Sequence, residues 1–338
     1  MSNKVFIVAE LSANHGSSLE IAKETIRAAK RAGADAIKLQ TYTAETITLK
    51  SEKEDFLIKG GTIWDNQYLF DLYKEAFLPW EWHAELFELA KQLDLICFSS
   101  PFDLTAVDFL EQLNNPIYKI ASLEITDIPL IEYIAKKGKP IVISTGIADY
   151  EDIKLAVDTC RLQGNNDITL LKCTTAYPAP VEESNLVMMN RLANDFNVKV
   201  GLSDHTLGII VPILSVAMGA QMIEKHFILR KDIGGPDASF SLDENEFSEM
   251  VNAVRQAEKA IGKESYELTQ NQLNGRVFCR SLYVVEDVYE GEIISINNVK
   301  SIRPGFGLHP KFYDEIIGKR VVRHLKKGDR FEIDSISL

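Results

Sequence analysis

The chain has 338 residues, enough for one large domain with a small one attached. Its composition, 46% hydrophobic and 25% charged, is that of an ordinary globular protein, and a net charge of −12 without a long Lys/Arg block excludes a nucleic-acid surface. An anionic substrate would therefore need a local pocket of positive charge.

The first apolar run, Val5 to Ala9, has five residues, too short for a secretion signal, and no stretch is long enough to span a bilayer. Cys97, Cys160, Cys173 and Cys279 are widely spaced without a CxxC pair, as expected of reduced thiols in a cytoplasmic protein. In chain order the patterns predict strand Val5–Ala9, helix Leu19–Ala32, strand Ala36–Leu39, a long excursion to Pro79 and helix Trp80–Gln92. Strand Leu95–Phe98, helix Leu104–Leu113, strand Ile117–Ile120, helix Pro129–Lys136, strand Pro140–Ile143, helix Tyr150–Arg161 and strand Ile168–Leu171 follow. After a second excursion, Tyr177 to Asn197, strands ending in His205 and His226 flank an apolar helical segment, and helix Glu244–Ile261 closes the series. Eight strand–helix repeats in residues 1–265 predict a TIM (β/α)8 barrel; a doubly wound sheet shares the local pattern but seldom reaches eight regular units.

A barrel of this kind collects its functional groups where its strands end. Here the endings offer Glu10; Lys38 and Gln40; Ser99 and Ser100; Lys119 and Ser122; Ser144 and Thr145; Thr174 and Thr175; Ser203, Asp204 and His205; Glu224 and His226. Several of the hydroxyls fit plain helix caps. Lys38 and Lys119 interrupt apolar strands, where an unpaired ammonium is costly, so they form either buried structural ion pairs or an anion site. In the second reading Lys119 and the hydroxyls of Ser100, Ser122, Ser144 and Ser203 cradle a phosphate and Lys38 is free for a carboxylate, implying a doubly anionic three-carbon ligand. His205 and His226, at equivalent ends of neighbouring strands, could offer two imidazoles to a divalent ion or play hydrogen-bonded structural roles.

Past Ile261 a polar connector, residues 266–280, leads to a tail, 281–338, with short β-like runs and turn signals at Glu290-Gly291, Pro304-Gly305, Phe306-Gly307 and Lys327-Gly328. So small a module has a marginal core and is expected to dock on another surface.

Over its whole length the chain resembles the sialic acid synthase family, and its tail looks like the antifreeze-like (SAF) module of those enzymes. The resemblance rests on AELSANH around Glu10, IKLQTYT around Lys38, CFSSPFD around Ser100, YKIASLE around Lys119, ISTG at Ser144, CTTAYP at Tyr177, GLSDHTLG, IEKHF, GGPDASFS and SIRPGFGLHP. It implies a transferase that condenses phosphoenolpyruvate with an open-chain amino-sugar aldehyde, giving a nine-carbon 2-keto acid and phosphate. It further implies Mn²⁺, Mg²⁺ or Co²⁺ on His205 and His226, phosphate contacts from Lys119, Ser100, Ser122, Ser144 and Ser203, and a carboxylate contact from Lys38. Glu10, Gln40, Tyr177 and Asp237 match sugar-facing positions. Arg303 does so from the tail, reaching the partner subunit of a domain-swapped homodimer. The family commonly has Thr at Ser100, which keeps the hydroxyl, and Asn at Thr175, where the shorter side chain weakens a carboxylate contact. The wording AELSANH, KEDFLIKGG, WEWH, CFSSPF and FGLHPKFY favours the branch whose acceptor is a 2,4-diacetamido-2,4,6-trideoxy altrose over the branch using N-acetylmannosamine.

In such a condensation the enol-ether methylene attacks the aldehyde carbon and water adds where positive charge develops. Glu10 and Glu124 are the candidates to handle the water's proton, although Glu124 could equally be a loop residue or a lysine partner. A metal-dependent aldolase would share the histidines and anion site but release no phosphate. A binding protein built on an inactive barrel would not need all these groups.

Overall fold

The computed structural model describes residues 4–337. The chain divides into two compact units, one ending at Gly262 and the other beginning at Lys263.

The first unit is a closed barrel of eight parallel strands: β1 Phe6–Glu10, β2 Ala36–Thr41, β3 Ile96–Pro101, β4 Tyr118–Ile120, β5 Ile141–Ser144, β6 Ile168–Cys173, β7 Lys199–Asp204 and β8 Met222–His226. Around it run α1 Leu19–Arg31, α2 Ala44–Ile47, α3 Leu69–Ala76, α4 Trp80–Gln92, α5 Leu104–Gln112, α6 Ile128–Ala135, α7 Tyr150–Leu162, α8 Met188–Phe196, α9 Ile210–Ala217 and α10 Glu244–Ile261. Asp103, Asp127, Asp149 and Asp243 start their helices by accepting otherwise orphaned backbone N–H groups. The expected barrel is present, with three short helices inside the predicted excursions, α2, α3 and α8. The two longer ones bury only a narrow stripe, Leu72 in α3 and Met189, Leu192 and Phe196 in α8, which left a weak helical signal.

Several strands run further than their apolar stretches. β1 extends through Glu10, β2 through Lys38 and Gln40, and β3 through Ser100. In a closed barrel the backbone ladder is satisfied on both sides, so a strand continues past the point where its side chains turn polar. Inward-facing residues alternate along each strand. Their lower layer is apolar: Val8, Ala36, Phe98, Val142, Leu171 and Met222 form a buried plug. Two residues further along the same strands stand Glu10, Lys38, Ser100, Ser144, Cys173 and Glu224, so the plug floors a polar chamber. Outward-facing residues build the larger core under the helices. Gly201 lets β7 approach β8, for a Cβ there would lie 2.4 Å from the Met222 carbonyl oxygen.

The second unit opens with residues that are exposed without interruption to Arg280. It then forms an antiparallel pair, β9 Ser281–Val284 with β10 Val299–Ile302. Leu282, Val284, Val288, Ile294, Val299, Ile316, Val321, Leu325, Phe331 and Ile336 make a separate small core. Among the described residues no helix is long and apolar enough to cross a membrane.

Candidate active site

Strand register places the chamber's charges. Glu10 of β1 is level with Lys38 of β2 on one side and His226 of β8 on the other, and Ser203 of β7 is level with Glu224 of β8. A one-residue slip of any strand would turn its contribution out of the chamber.

Lys38 and Lys119 are 3% and 2% exposed, and neither is unpaired. Lys38 Nζ lies 2.7 Å from Glu10 Oε2, 3.3 Å from Ser100 Oγ and 3.7 Å from Glu224 Oε1. Lys119 Nζ donates to Ser144 Oγ at 2.7 Å and lies 3.8 Å from the same Glu224 oxygen, which also accepts from Ser203 Oγ at 3.3 Å. The two readings left open for these lysines are thus joined in one arrangement. Each is ion-paired, and together with Ser100, Ser144 and Ser203 they ring a chamber. Lys38, expected free for a ligand, is held by Glu10, and Ser100 belongs to Lys38 rather than to Lys119. The β1–β2 register sets Glu10 level with Lys38, and Ser100, level with Gln40 on the next strand, faces the same interior.

The two carboxylates differ. Burial opposes the charge of Glu224, but Lys119 and Lys38 outweigh it and hold its pKa below the usual range. Glu10 is raised, because burial and the neighbouring Glu224 charge prevail over Lys38. Glu224 is therefore the shared counter-ion and Glu10 the carboxyl that more readily keeps a proton. Lys38 stays charged, its burial outweighed by Glu10 and Glu224, whereas burial lowers Lys119 despite Glu224. Glu224 Oε2 is buried without a hydrogen-bond partner. Gln40 Nε2 fixes Glu10 Oε1 at 2.8 Å and also reaches Ser12 Oγ at 2.9 Å.

At the far side of the chamber, His205 and His226 stand edge to face with centroids 5.3 Å apart. His205 Nδ1–H donates to the Thr174 carbonyl at 2.9 Å, which leaves Nε2 with a free lone pair. His226 Nδ1 is buried without a hydrogen-bond partner, 3.6 Å from Asp237 Oδ2. Two imidazoles with available nitrogens fit a divalent ion whose remaining positions are filled by substrate or water; among the described residues no set of three His, Cys, Asp or Glu side chains closes around an ion. The Tyr177 ring packs 4.4 Å from His205 and 6.4 Å from His226, and burial keeps its phenol protonated.

Ser122 and Thr175 flank the chamber at Gly146, whose N–H donates to Ser122 Oγ at 3.1 Å. A Cβ on Gly146 would meet Thr175 Oγ1 at 2.0 Å and Ser122 Oγ at 2.8 Å, so only glycine fits beside these two hydroxyls. Thr175 Oγ1 is itself buried and unpartnered. Glu124, in the turn after β4, has an unpartnered buried Oε2 and is pushed up to about 7 by burial, with Lys119 opposing.

A cavity of about 300 Å³ opens onto these groups, with Gln40, Ser122, Glu124, Tyr177, His226 and Asp237 on its polar side. Its other side is apolar and aromatic, built by Tyr42, Ile47, Ile58, Trp64, Leu69, Leu72, Tyr73 and Phe102. Ile47, Ile58, Trp64, Leu69, Leu72 and Tyr73 of this wall all come from the first excursion. Glu224, Ser12 and the Asp204–Lys225 pair had no assigned role from sequence. Glu224 carried a legible signal, since it shares inward parity with His226. Arg303 lies in the second unit, exposed just beyond β10.

Residues 25–266 match the model of the NeuB family, and residues 280–330 match the SAF domain. The chain is 51% identical over 326 residues to a pseudaminic acid synthase of Campylobacter jejuni subsp. jejuni, covering 96% of this chain and 95% of that one. It is 50% identical over 331 residues to a pseudaminic acid synthase of Helicobacter pylori, covering 98% and 97%. The crystal structure of an N-acetylneuraminic acid synthetase from Leptospira borgpetersenii superimposes with a TM-score of 0.73 at 30% identity, covering 81% of this chain and 90% of that one. By sequence over nearly its full length and by fold, the chain belongs to the NeuB family and carries a SAF domain in its tail.

Proposed function

We propose that this chain is a pseudaminic acid synthase, joining phosphoenolpyruvate to the open-chain form of 2,4-diacetamido-2,4,6-trideoxy-β-L-altropyranose, with water, to give pseudaminic acid and phosphate. The observation that carries the reading is a cavity lined by Gln40, Ser122, Glu124, Tyr177, His226 and Asp237 with an apolar wall opposite, beside the buried lysine–hydroxyl cluster that Gln40 joins through Glu10 and the histidine pair that His226 completes. Identity of 50–51% to pseudaminic acid synthases, against 30% to the N-acetylneuraminic acid synthetase, supports the choice of sugar.

Phosphoenolpyruvate binds with its phosphate at Lys119, Ser144, Ser122 and Ser203 and its carboxylate at Lys38, Ser100 and Thr175. Its charges replace Glu224 as the lysines' partners. His205 and His226 would hold a divalent ion, Mn²⁺ before Mg²⁺ or Co²⁺, which would supply a Lewis acid for the aldehyde oxygen. Gln40, Tyr177 and Asp237 hold the sugar so that its carbonyl carbon faces the enol-ether methylene, which is where much of the rate originates. Glu10, whose hold on a proton is strengthened by burial and the neighbouring Glu224 charge, is the donor to the oxygen that becomes a hydroxyl. Glu124, titrating near neutrality, takes the proton of the water that adds at the phosphate-bearing carbon, and phosphate then departs. The apolar wall receives the sugar's terminal methyl and acetyl groups and offers no partners to the extra hydroxyls of N-acetylmannosamine. The working form is a cytoplasmic two-fold dimer in which Arg303 serves the partner's site, a reading supported by the SAF match and by the exposure of Arg303.

Incubation with phosphoenolpyruvate, Mn²⁺ and equal concentrations of the two sugars, with products resolved by mass, tests the reading. Pseudaminic acid with stoichiometric phosphate is expected. A dominant N-acetylneuraminate product would overturn the choice of sugar, and turnover without phosphate release would overturn the reaction class.

A further inference from the structure

Residues 57–68 form a small hairpin over the cavity. Leu57 and Tyr68 pair antiparallel, Ile58 N–H donates to the Gln67 carbonyl at 2.9 Å, and Asn66 N–H returns to the Ile58 carbonyl at 3.0 Å. Its tip is tied by Asp65, whose carboxylate accepts from the N–H groups of Gly60, Gly61 and Thr62 and from Thr62 Oγ1 at 2.8–3.3 Å. Those bonds hold the carboxyl down to about 2, so the tie persists at any working pH. Gly61 at φ +77° makes the turn that lets them converge.

This tip presents Trp64. Its indole lines the cavity and packs 5.4 Å from Tyr177, yet its Nε1–H is buried with no acceptor. A buried indole N–H normally finds a partner, so an orphan on a cavity wall points to an acceptor that arrives with the ligand. The rings run outward in series from His205 to Tyr177 to Trp64, with centroid separations of 4.4 and 5.4 Å. The aldehyde carbon belongs at the histidine end, so Trp64 stands by a group several carbons further along the sugar. On the same cavity wall Ile58, Leu69 and Leu72 offer apolar surface. A carbonyl acceptor with a methyl attached satisfies both, and in the proposed substrate that group is the acetamide on C4.

Resting on the diacetamido-sugar reading, we infer that Trp64 is the specificity-determining residue for the C4 acetamide, its indole N–H donating to the acetamide carbonyl. A hydroxyl at C4 would leave the apolar surface facing a polar group and the N–H with a weaker acceptor.

The test compares wild type, Trp64→Phe and Trp64→His on the 2,4-diacetamido sugar and on the analogue carrying hydroxyl in place of the C4 acetamide. Wild-type turnover of the diacetamido sugar is measured first, and its absence would overturn the substrate reading and the inference together. Given that turnover, Trp64→Phe should lower kcat/KM for the diacetamido sugar roughly tenfold, leave the analogue within about twofold and leave the KM for phosphoenolpyruvate unchanged. Trp64→His, which restores a ring N–H, should recover part of the loss. Equal losses on both sugars, or no loss on either, would overturn the inference while the substrate reading stands.

Discussion

Lys225 Nζ lies 2.6 Å from Asp204 Oδ2, an ion pair with both side chains buried, formed between residues level with each other on β7 and β8. Lys225 also donates to the Thr206 carbonyl, and Thr206 returns two bonds to Asp204 Oδ1 at 2.9 and 3.1 Å. Alternation turns these two outward and their neighbours His205 and His226 inward. The pair therefore clasps the strand ends that carry the two imidazoles.

Removing one member leaves the other charge buried and alone. Lys225→Met should cost about 3–5 kcal/mol of stability, measured by denaturant unfolding. Replacing both residues, Asp204→Leu with Lys225→Met, should recover most of that loss. The double variant should nevertheless bind Mn²⁺ more weakly than wild type, because the strand ends are less firmly aligned. Equal stability of the single and double variants would count against the clasp.

Metal dependence should track both histidines. A chelator should abolish turnover and Mn²⁺ restore it, and either His205→Ala or His226→Ala should weaken Mn²⁺ binding, followed by titration calorimetry, by about 100-fold or more. Undiminished activity of His205→Ala in chelator would remove the metal role.

The lysines should separate by ligand. Lys119→Ala should weaken phosphoenolpyruvate binding by about 2–5 kcal/mol with little change in sugar affinity. Glu224→Gln removes the counter-ion the two lysines share, leaving Lys38 its pair with Glu10, and is expected to tighten binding of inorganic phosphate at Lys119. Fluorescence or calorimetric titration of each variant decides both points.

Glu124 supplies the pH dependence. Its carboxyl in the folded protein titrates near 7 against 4.5 unperturbed, so the active, ionised fraction rises through neutrality and kcat should fall below about pH 7. Glu124→Gln should remove that limb and lower kcat by about 10²-fold or more. Stability has the opposite slope. Between 4.5 and about 7 the folded state binds more protons than the unfolded one, so this group's contribution declines as pH rises across that window. Glu124→Gln should therefore be more stable than wild type at pH 8 by about 1–2 kcal/mol, and a melting comparison at pH 5 and 8 checks the sign.

Dimer architecture is open to complementation. Equal reassociation of inactive His205→Ala and inactive Arg303→Ala chains makes half the dimers mixed, each with one intact site if the tail acts in trans. Roughly a quarter of wild-type activity should return. No recovery after verified subunit exchange would assign the tail to its own barrel.

The sequence by itself determined the alternation of strands and helices, the number of repeats and the side of the barrel on which chemistry collects. Those features are local, since a strand's two-residue period and a helix's apolar stripe are written in neighbouring positions. Lys38 and Lys119 were conspicuous for the same reason, as charges inside apolar runs. Only the tertiary structure decided their partners. Glu10, Lys38, Glu224 and Lys119 meet because β8 closes against β1 and each strand takes one register, and neither condition is visible within a short stretch of chain. The opposite shifts of the two carboxyls, Glu10 raised and Glu224 lowered, also arise there, since they depend on how many ammonium groups each faces once water has gone. The hairpin that presents Trp64 is decided at the same level, because its strands pair for only a few residues and are held by Asp65 rather than by any apolar period.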